Sequence, residues 1–421
     1  VQWESRFAKC LRMEKRVKTS VLHPESLRGT QIPTKIKMPS QAAGRKDEMS
    51  NKLMQENGFM PWEQNPECFK LNKRAPHTDI IPFPTLEDAL AWNKDARAVT
   101  NLNGVWKFRF FENPDACDAA FPEGLEQIMD THAWGQIRVP ANWQLEGYDY
   151  PQYVNVKYPW EMTEDIMPPQ IPRKYNPVGI YCRSFDADVK NGQKLILHFD
   201  GIESCGEIYV NGVFAGYTEG SFTPAEFDIT ELVRKGVNQL VVKVLRWCDG
   251  SWLEDQDFFR FSGIYRDVYL YALPEVHISD FKVDALLDEN YQDGRLNVEV
   301  FTEGAAEGCE VRLDLYSPKG RGILSTDVAQ VKDGKVVFQE EVETPWQWSA
   351  ESPSLYTAVL TLTEGDEETI LACRCGFRTF EMKDGLMMLN NRRIIFKGAN
   401  RHEFGAKFGR AITKEAMLQD V

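Results

Sequence analysis

Short runs of β-branched and aromatic residues, each closed by turn residues, constrain the fold of this chain more than any other feature. Four clear runs are KLILHF (194–199), GEIYVNGVFAGY (206–217), QLVVKVLRW (239–247) and RDVYLYALP (266–274). Such residues favour strands, and Asn211-Gly212 between two apolar runs is a strong hairpin signal. Because helix-period stretches are nearly absent, the pattern predicts an all-β sandwich or jelly roll over residues 59–274.

A second series of strand-like runs follows Pro274. Its members are HISDFKVDAL, RLNVEVFTE, CEVRLDLYS, KVVFQEEVE, LYTAVLTLTE and TILACRCGF. About seven short strands over roughly 100 residues, with turns between them, are typical of an immunoglobulin-like sandwich. The sequence therefore predicts such a β-sandwich over residues 275–378.

A third region opens at residue 379 with LMMLNNRRIIFKGANRHEF after Gly385. It reads as a hairpin, then an apolar strand at 394–396, then polar groups past the end of that strand. A strand that ends in polar residues and leads into a helix is how a (β/α)₈ barrel begins. Residues 379–421 thus predict the first part of a truncated barrel, with a final helix capped by Thr413 and carrying Glu415 in its first turn.

The two ends of the chain differ from those of a complete protein. It begins at Val1 without methionine and stops at Val421 inside the predicted helix, so we expect an N-terminal fragment of a longer protein. Residues 1–58 hold 12 Lys/Arg against 6 Asp/Glu, lack periodicity, and predict a basic, disordered extension. Met49 is a candidate internal start, with residues 1–48 foreign to the fold.

Composition excludes several classes of protein. The net charge of −14 argues against a nucleic-acid partner, because phosphate binding needs a cationic surface. No apolar run approaches about 18 residues, so we expect no membrane span, and the first residues do not resemble a signal peptide. The nine cysteines are odd in number and scattered, which predicts reduced thiols and a cytoplasmic location.

The stretch DGSWLEDQDFFRFSGIYRDV (249–268) sets five carboxylates among aromatic and aliphatic side chains. Buried carboxylates are costly unless another group offsets their charge. One interpretation is a solvated loop whose acids pair with Arg246, Arg260 and Arg266. The other is that one acid binds a hard cation or a sugar hydroxyl, since carboxylate oxygens suit both.

The stretch VPANWQLEGYDYPQYVNVKYP (139–159) interleaves amides and an acid with one tryptophan and four tyrosines. Planar amides fit sugar hydroxyls, and aromatic faces stack on the apolar face of a pyranose ring. The same composition also fits an aromatic-lined loop with no ligand, and the residues alone leave both interpretations open.

Several longer motifs occur together in one order: WEQNPECFKLNKRAPH, LNGVWKFRFF, the 139–159 stretch, NPVGIYCRSF, RWCDGSWLEDQDFFRFSGIYRDV, SPSLYTAVL and FKGANRHEFG. In this order and spacing the chain resembles the large, cytoplasmic bacterial β-galactosidases of glycoside hydrolase family 2, over about residues 60 to 421. The resemblance implies a sugar-binding jelly roll, an immunoglobulin-like sandwich and a catalytic (β/α)₈ barrel. It also implies a role in carbohydrate metabolism, a β-galactoside substrate and a homo-oligomer of the full-length protein.

The resemblance also implies three substrate-binding residues. Asn142 holds the place of the asparagine in V-P-x-N-W-Q that touches the galactosyl group. Asp257, the last acid of L-E-D-Q-D, corresponds to a residue that binds substrate and a sodium ion, while Glu254 and Asp255 are expected to support the loop. His402 of N-R-H-E is expected to line the same pocket, although a structural histidine at a strand end also fits the pattern.

The catalytic pair of the family is missing from this match. Retaining glycosidases need two carboxyl groups about 5–5.5 Å apart, and the resemblance places both glutamates, and the magnesium ligands, beyond Val421. Asp249 resembles a family position near a peripheral magnesium. We therefore expect no catalytic residue within this chain, and no hydrolysis by the chain alone.

Two alternatives to a β-galactosidase fragment remain. One is a stand-alone carbohydrate-binding subunit or module. The other is a different family 2 glycosidase, such as a β-glucuronidase or β-mannosidase, although L-E-D-Q-D together with V-P-x-N-W-Q favours a galactosidase.

Overall fold

Strands dominate the part of the chain that the structure describes. The computed structural model describes residues 61–421 except 129, 162, 189, 191 and 305–307. The predicted extension over residues 1–58 therefore lies outside the described residues. Within them the mainly-β class predicted from the sequence is confirmed.

The first half of the described chain forms the jelly roll. Its strands are β1 (Lys70–Leu71), β2 (Val99–Asn101), β3 (Gly104–Phe111), β4 (Gly135–Val139), β5 (Gln152–Val154), β6 (Val178–Ala187), β7 (Gln193–Phe199), β8 (Ile202–Glu203), β9 (Cys205–Val210), β10 (Val213–Glu219), β11 (Ala225–Asp228), β12 (Gly236–Leu245), β13 (Phe258–Arg260), β14 (Gly263–Ile264) and β15 (Val268–Pro274). A seven-stranded sheet runs in the order β1-β10-β9-β12-β6-β3-β4, and a four-stranded sheet runs β11-β7-β15-β2. Two short ladders, β13-β5 and β14-β8, lie outside these sheets.

The core of the jelly roll comes from alternating residues of both sheets. Trp106, Phe108 and Val242 belong to the seven-stranded sheet, while Phe199 and Leu270 belong to the four-stranded sheet, and all five are buried in one cluster. Burying apolar area of this kind is the main stabilising term of a sandwich. The site described below is built on loops that this core holds in place.

The Asn211-Gly212 turn connects β9 to β10. Both residues have positive φ, 51° and 75°, as a type I′ turn requires, and Val213 pairs with Val210 across the turn. A Cβ on Gly212 would lie 2.5 Å from the carbonyl oxygen of Glu126. The hairpin predicted from the sequence is confirmed, and glycine is required for space as well as for φ.

The second sandwich has strands β16 (His277–Leu287), β17 (Gly294–Glu303), β18 (Glu310–Tyr316), β19 (Gly322–Ser325), β20 (Ala329–Gln330), β21 (Lys335–Val342), β22 (Tyr356–Glu364) and β23 (Glu367–Cys375). One sheet runs β16-β17-β21, and the other runs β19-β18-β22-β23 with β20 paired to β18. Val298 and Val300 from the first sheet join Leu313 and Leu360 from the second in one buried cluster. The predicted immunoglobulin-like sandwich is thus confirmed.

A three-stranded sheet, β24 (Phe380–Lys383), β25 (Leu386–Leu389) and β26 (Arg392–Arg393), opens the last region. The apolar strand predicted at 394–396 is not formed: no strand is assigned to 394–400 in the described chain. Ile394 donates one backbone hydrogen bond to Met387, while Ile395 and Phe396 are 67% and 73% exposed. A parallel barrel strand needs neighbours on both sides, and the described residues supply none.

Helices are few and short. They are α1 (Leu86–Ala91), α2 (Pro114–Ala120) and α3 (Lys414–Asp420), with 3₁₀ turns at Trp62–Gln64, Lys94–Ala96, Leu125–Gln127, Trp143–Leu145, Thr230–Leu232 and Asp249–Trp252. The Thr413 hydroxyl accepts a hydrogen bond from the amide of Ala416, so the predicted cap of α3 is confirmed. In the described residues no helix combines the length and the apolar character needed to cross a membrane.

The segment that follows β1 crosses from one sandwich to the other. Lys73 forms a β-bridge with Phe227 of the jelly roll. Farther along, Thr78 donates hydrogen bonds to Asp280, and Phe83 bridges to Ile370 of the second sandwich. This segment therefore contacts both domains.

Glu226 anchors the segment to β11 through a network of ionisable groups. One of its oxygens lies 2.6 Å from Nε2 of His77, and the other lies 2.7 Å from Nδ1 of His198. Nε2 of His198 faces Asp200 at 2.8 Å, and the Tyr271 hydroxyl donates to Glu226 at 2.8 Å. Burial disfavours the imidazolium, but the carboxylates outweigh burial and raise the pKa of His198 to about 9.

The raised pKa of His198 predicts a loss of stability at alkaline pH. The contribution is fully present below the unfolded-state pKa of about 6.5 and is lost as pH rises through about 9. We expect the unfolding free energy to fall by about 3 kcal/mol over this window, and His198→Gln to flatten the slope. Urea unfolding of the unchanged protein and of the His198→Gln variant from pH 6 to 10 measures this pH dependence. Equal slopes of unfolding free energy against pH in the two proteins would contradict the role given to His198.

Candidate substrate-binding cleft

A fully buried ion pair fixes the loops around the site. Arg246 directly follows β12, and its guanidinium pairs with Asp149, with both side chains 0% exposed. Asp149 also accepts hydrogen bonds from the Tyr175 hydroxyl and from Nε1 of Trp143, while Arg246 donates to Gln152. Separating a buried pair is costly because a charge is left in the interior. Within the described chain Nε of Arg246 has no hydrogen-bond partner, but the other contacts of the pair tie the 143–175 region to the end of β12.

Two of the acids in the 249–268 stretch have structural partners. Glu254 accepts hydrogen bonds from the backbone and hydroxyl of Ser221 at 2.8 and 2.6 Å. Asp255 pairs with Arg260. These contacts agree with the expectation that both acids support the loop. Of the three arginine partners considered for this stretch, Arg260 is the one that pairs within it.

Asp257 differs from these neighbours because its carboxylate is exposed. It immediately precedes β13, whose Phe259 pairs with Tyr153 of β5. Within the described chain, the Tyr153 hydroxyl is the group that donates a hydrogen bond to Asp257. The β5–β13 ladder therefore brings the aromatic 139–159 stretch and the acidic 249–268 stretch together, leaving carboxylate oxygen open to a ligand.

His402 reaches the same place from the last region of the chain, on what we call the 401–411 segment. Its ring lies edge-on to Phe258, with ring centroids 5.7 Å apart and an angle of 88° between the planes. Phe404 stacks on Phe259 at 5.0 Å, and Arg410 donates to the Phe259 carbonyl at 3.2 Å. The 401–411 segment is thus docked on β13.

These contacts enclose a cleft of about 210 Å³. It is lined by Phe222, Gln256, Phe258, Tyr265, Arg266, Arg401, His402, Glu403 and Arg410. His402 lies in this lining, and so do Gln256 and Phe258 on either side of Asp257, whereas Asp257 itself does not. Charged and hydroxyl groups around an aromatic wall are suited to a polar ligand with an apolar face, which describes a sugar.

Three sequence models of one family match the chain in tandem. The glycosyl hydrolases family 2 sugar-binding domain matches residues 99–274, the glycosyl hydrolases family 2 model matches 276–378, and the family 2 TIM barrel domain matches 380–421. The chain belongs to glycoside hydrolase family 2. The jelly roll, the second sandwich and the final region follow the same order as these matches.

Curated proteins and solved structures are also similar to this chain. A β-galactosidase of Priestia megaterium is 44% identical over 87% of this chain and 36% of its own length, and one of Clostridium acetobutylicum is 41% identical over 86% and 40%. The chain thus spans well under half the length of these curated relatives. A solved Bifidobacterium dentium β-glucuronidase has a TM-score of 0.60 and 21% identity over 78% of this chain and 55% of its own, which shows the fold alone.

Asn142, the third predicted site residue, lies beneath the cleft and is 1% exposed. Its amide oxygen accepts from the backbone of Arg410 at 2.7 Å, and its amide nitrogen donates to the Ser262 carbonyl at 3.3 Å. A Cβ on Gly409 would lie 2.4 Å from that oxygen. The structure places His402 in the cleft lining, Asp257 between the lining residues Gln256 and Phe258, and Asn142 under the 401–411 segment. The sugar contacts of all three residues stay predictions.

Sequence reasoning did not single out Tyr153, Arg410 or Glu203, which contact Asp257 or hold the 401–411 segment. Tyr153 lies in the aromatic 139–159 stretch. Its hydrogen bond to Asp257 depends on the pairing of β5 with β13, which are far apart in sequence. Arg410 follows the N-R-H-E motif closely enough to be suspected of contacting the same pocket. Glu203, which pairs with Arg410, sits in a strand pair without a distinguishing local pattern.

Asp249 lies in a separate group with Glu219 and Cys248, whose ligand atoms are all within 4.8 Å of one another. Both carboxylate oxygens of Asp249 are buried, and the carboxyl of Glu219 is the ionisable group that faces them. Burial raises the pKa of Glu219 to about 8 and also raises that of Asp249. Two desolvated carboxylates fit a hard divalent cation such as magnesium, whereas the thiol suits it poorly.

Breaking the buried pair by Arg246→Met should destabilise the chain by about 3–5 kcal/mol, because Asp149 is left charged in the interior. Urea denaturation of the 421-residue chain measures the change. Arg138→Gln is the matched control: it breaks an ion pair with Glu146 whose arginine is 75% exposed, and should cost under about 1 kcal/mol. Similar losses in the two variants would contradict the role given to Arg246.

Proposed function

We propose that this chain is part of a retaining β-galactosidase, which hydrolyses terminal non-reducing β-D-galactosyl residues. The observation that carries the proposal is that curated proteins named β-galactosidase match 85–89% of this chain at 34–44% identity. The cleft supports the proposal. Its charged, hydroxyl and aromatic lining suits a sugar, and it lies where the jelly roll meets the 401–411 segment. Cytoplasmic location and homo-oligomerisation belong to the same proposal.

In this proposal Asp257 and His402 form one wall of the galactosyl site. The exposed carboxylate of Asp257 accepts hydrogen bonds from sugar hydroxyls, and Tyr153 holds it in place from the other side. His402 offers ring nitrogens to the same sugar, while Phe258 supports the histidine ring edge-on. For Asn142 to reach the sugar, Gly409 and Arg410 would have to move off its amide oxygen.

We further propose a sodium ion at Asp257. An exposed carboxylate whose described protein partner is a neutral hydroxyl can give an anionic oxygen to a hard cation. When bound, the ion would supply positive charge that holds a substrate hydroxyl. Magnesium is proposed as a second cofactor whose main ligands lie outside this chain, and Asp249 with Glu219 would offer a peripheral place for it.

The reacting carboxyl groups are proposed to come from the part of the relatives that this chain does not match. Retention of configuration needs a nucleophile and an acid/base about 5–5.5 Å apart. The residues of the cleft described above bind and orient the sugar, and none of them is assigned either role.

Asp257→Asn in the full-length enzyme should lower kcat/KM for a chromogenic β-galactoside roughly 10- to 100-fold, since hydrogen bonds to a charged group are worth about 1.5–3 kcal/mol. The response of kcat/KM to sodium should weaken in parallel, because one anionic ligand is lost. Asp267→Asn is the matched control, an exposed acid ten residues along that accepts from Asn103. Wild-type kinetics and sodium response in Asp257→Asn would remove this residue from the site.

The purified 421-residue chain should show no hydrolysis of the same galactoside above background and at most weak galactose binding. Proximity and electrostatic stabilisation require the reacting groups to be held together with the binding wall. The Asp257→Asn variant of the 421-residue chain, purified by the same procedure, controls for contaminating host enzyme. Turnover that disappears in this variant would place a catalytic pair within the chain, and faster turnover of a β-glucuronide or β-mannoside by the full-length enzyme would favour those activities.

A further inference from the structure

One ion pair connects the jelly roll directly to the 401–411 segment. Glu203 ends β8, where it pairs with Gly263 of β14. Its Oε2 lies 3.1 Å from Nε of Arg410, and the two side chains are only 8% and 11% exposed. These two buried atoms have no aligned hydrogen-bond partner, so the pair is held by charge in a site with little access to water.

The guanidinium and the backbone amide of Arg410 make further contacts with the jelly roll. Its guanidinium lies over the rings of Phe222 and Phe258, 5.0 and 4.2 Å from their centroids. One terminal nitrogen donates to the Phe259 carbonyl at 3.2 Å, and the backbone amide donates to Asn142 at 2.7 Å. A cation between two aromatic faces, with a buried carboxylate beside it, forms a preorganised socket for one arginine.

The charge on Glu203 depends on this arrangement. Burial raises the pKa of its carboxyl to about 7, and Arg410 is the strongest of the groups that oppose the rise. Arg260 and Arg246 oppose it more weakly, and Glu254 adds to it. Removing the positive charge of Arg410 would leave the carboxyl in a site that does not tolerate its ionised form.

The Phe258 ring connects the socket to the cleft. Phe258 directly follows Asp257 in the sequence. Its ring lies under the guanidinium of Arg410 and contacts the ring of His402 edge-on, with ring centroids 5.7 Å apart. We propose that Glu203 and Arg410 are positioning residues whose ion pair fixes the 401–411 segment on the jelly roll, so that His402 lines the cleft beside Phe258, the residue that follows Asp257. The role in catalysis rests on the proposed galactosidase function, whereas the docking itself does not.

Hydrogen exchange of the 421-residue chain tests the docking without any activity. Glu203→Gln and Arg410→Gln should each speed exchange in peptides covering 405–411 by roughly tenfold, and the double variant should be no faster than the faster single, as expected for residues that act as a pair. Arg410→Lys, which keeps the charge, should restore part of the protection.

The matched control is Arg312→Gln, which breaks an ion pair with the mostly buried Asp314 in the second sandwich. It should leave exchange at 405–411 unchanged. Unchanged protection in both single variants, or effects that multiply in the double variant, would overturn the ion pair as the docking element.

Kinetics of the full-length enzyme test the positioning. The same substitutions should lower kcat/KM, mainly through a higher KM. They would displace the 401–411 segment, whose proposed role is to bind the sugar, whereas the reacting carboxyl groups lie elsewhere. Faster exchange with wild-type KM and kcat would overturn the positioning role and leave a purely structural contact. A wild-type enzyme that hydrolyses no galactoside would refute the proposed function, whereas the exchange results would still decide the docking.

Discussion

The charge of Arg246 is buried completely, and much of the site depends on how that charge is accommodated. Asp149 supplies the opposite charge, and Tyr175 and Trp143 satisfy its remaining oxygen positions. An ion pair of this kind adds little net stability over an apolar core, but it strongly penalises any arrangement that separates its members. It thereby selects one path for the loop that carries Tyr153 to Asp257.

The second requirement is that two domains complete one cleft. The jelly roll contributes Phe258 and Phe222, and the barrel region contributes His402 and Arg410. Aromatic stacking of Phe404 on β13 gives this junction apolar area, while the buried charges define its register. A family 2 cleft built in this way combines a rigid sandwich with a segment whose position is set by a few contacts.

Local features of the sequence predicted local structure. The Asn211-Gly212 hairpin and the Thr413 cap depend on neighbours in the chain, and both are confirmed. The mainly-β architecture and the family were also predicted, from strand periodicity and from motif order. The burial of Asn142 under Arg410 was not, because those residues are far apart in sequence and only the folded chain joins them. The sequence did not distinguish Arg246, Arg260 and Arg266 as partners of the acidic stretch. In the folded chain, long-range packing pairs Arg246 with Asp149, which lies outside that stretch.

The segment after β1 bridges both sandwiches and has a consequence for biosynthesis. Lys73 and Phe83 leave the ribosome before most strands of either sandwich, but their bridging partners, Phe227 and Ile370, emerge much later. Contacts between residues so distant in sequence form slowly, because a long loop must close first. The two sandwiches can therefore fold in order of synthesis, and the bridge from Phe83 to the second sandwich forms only after Ile370 has been synthesised.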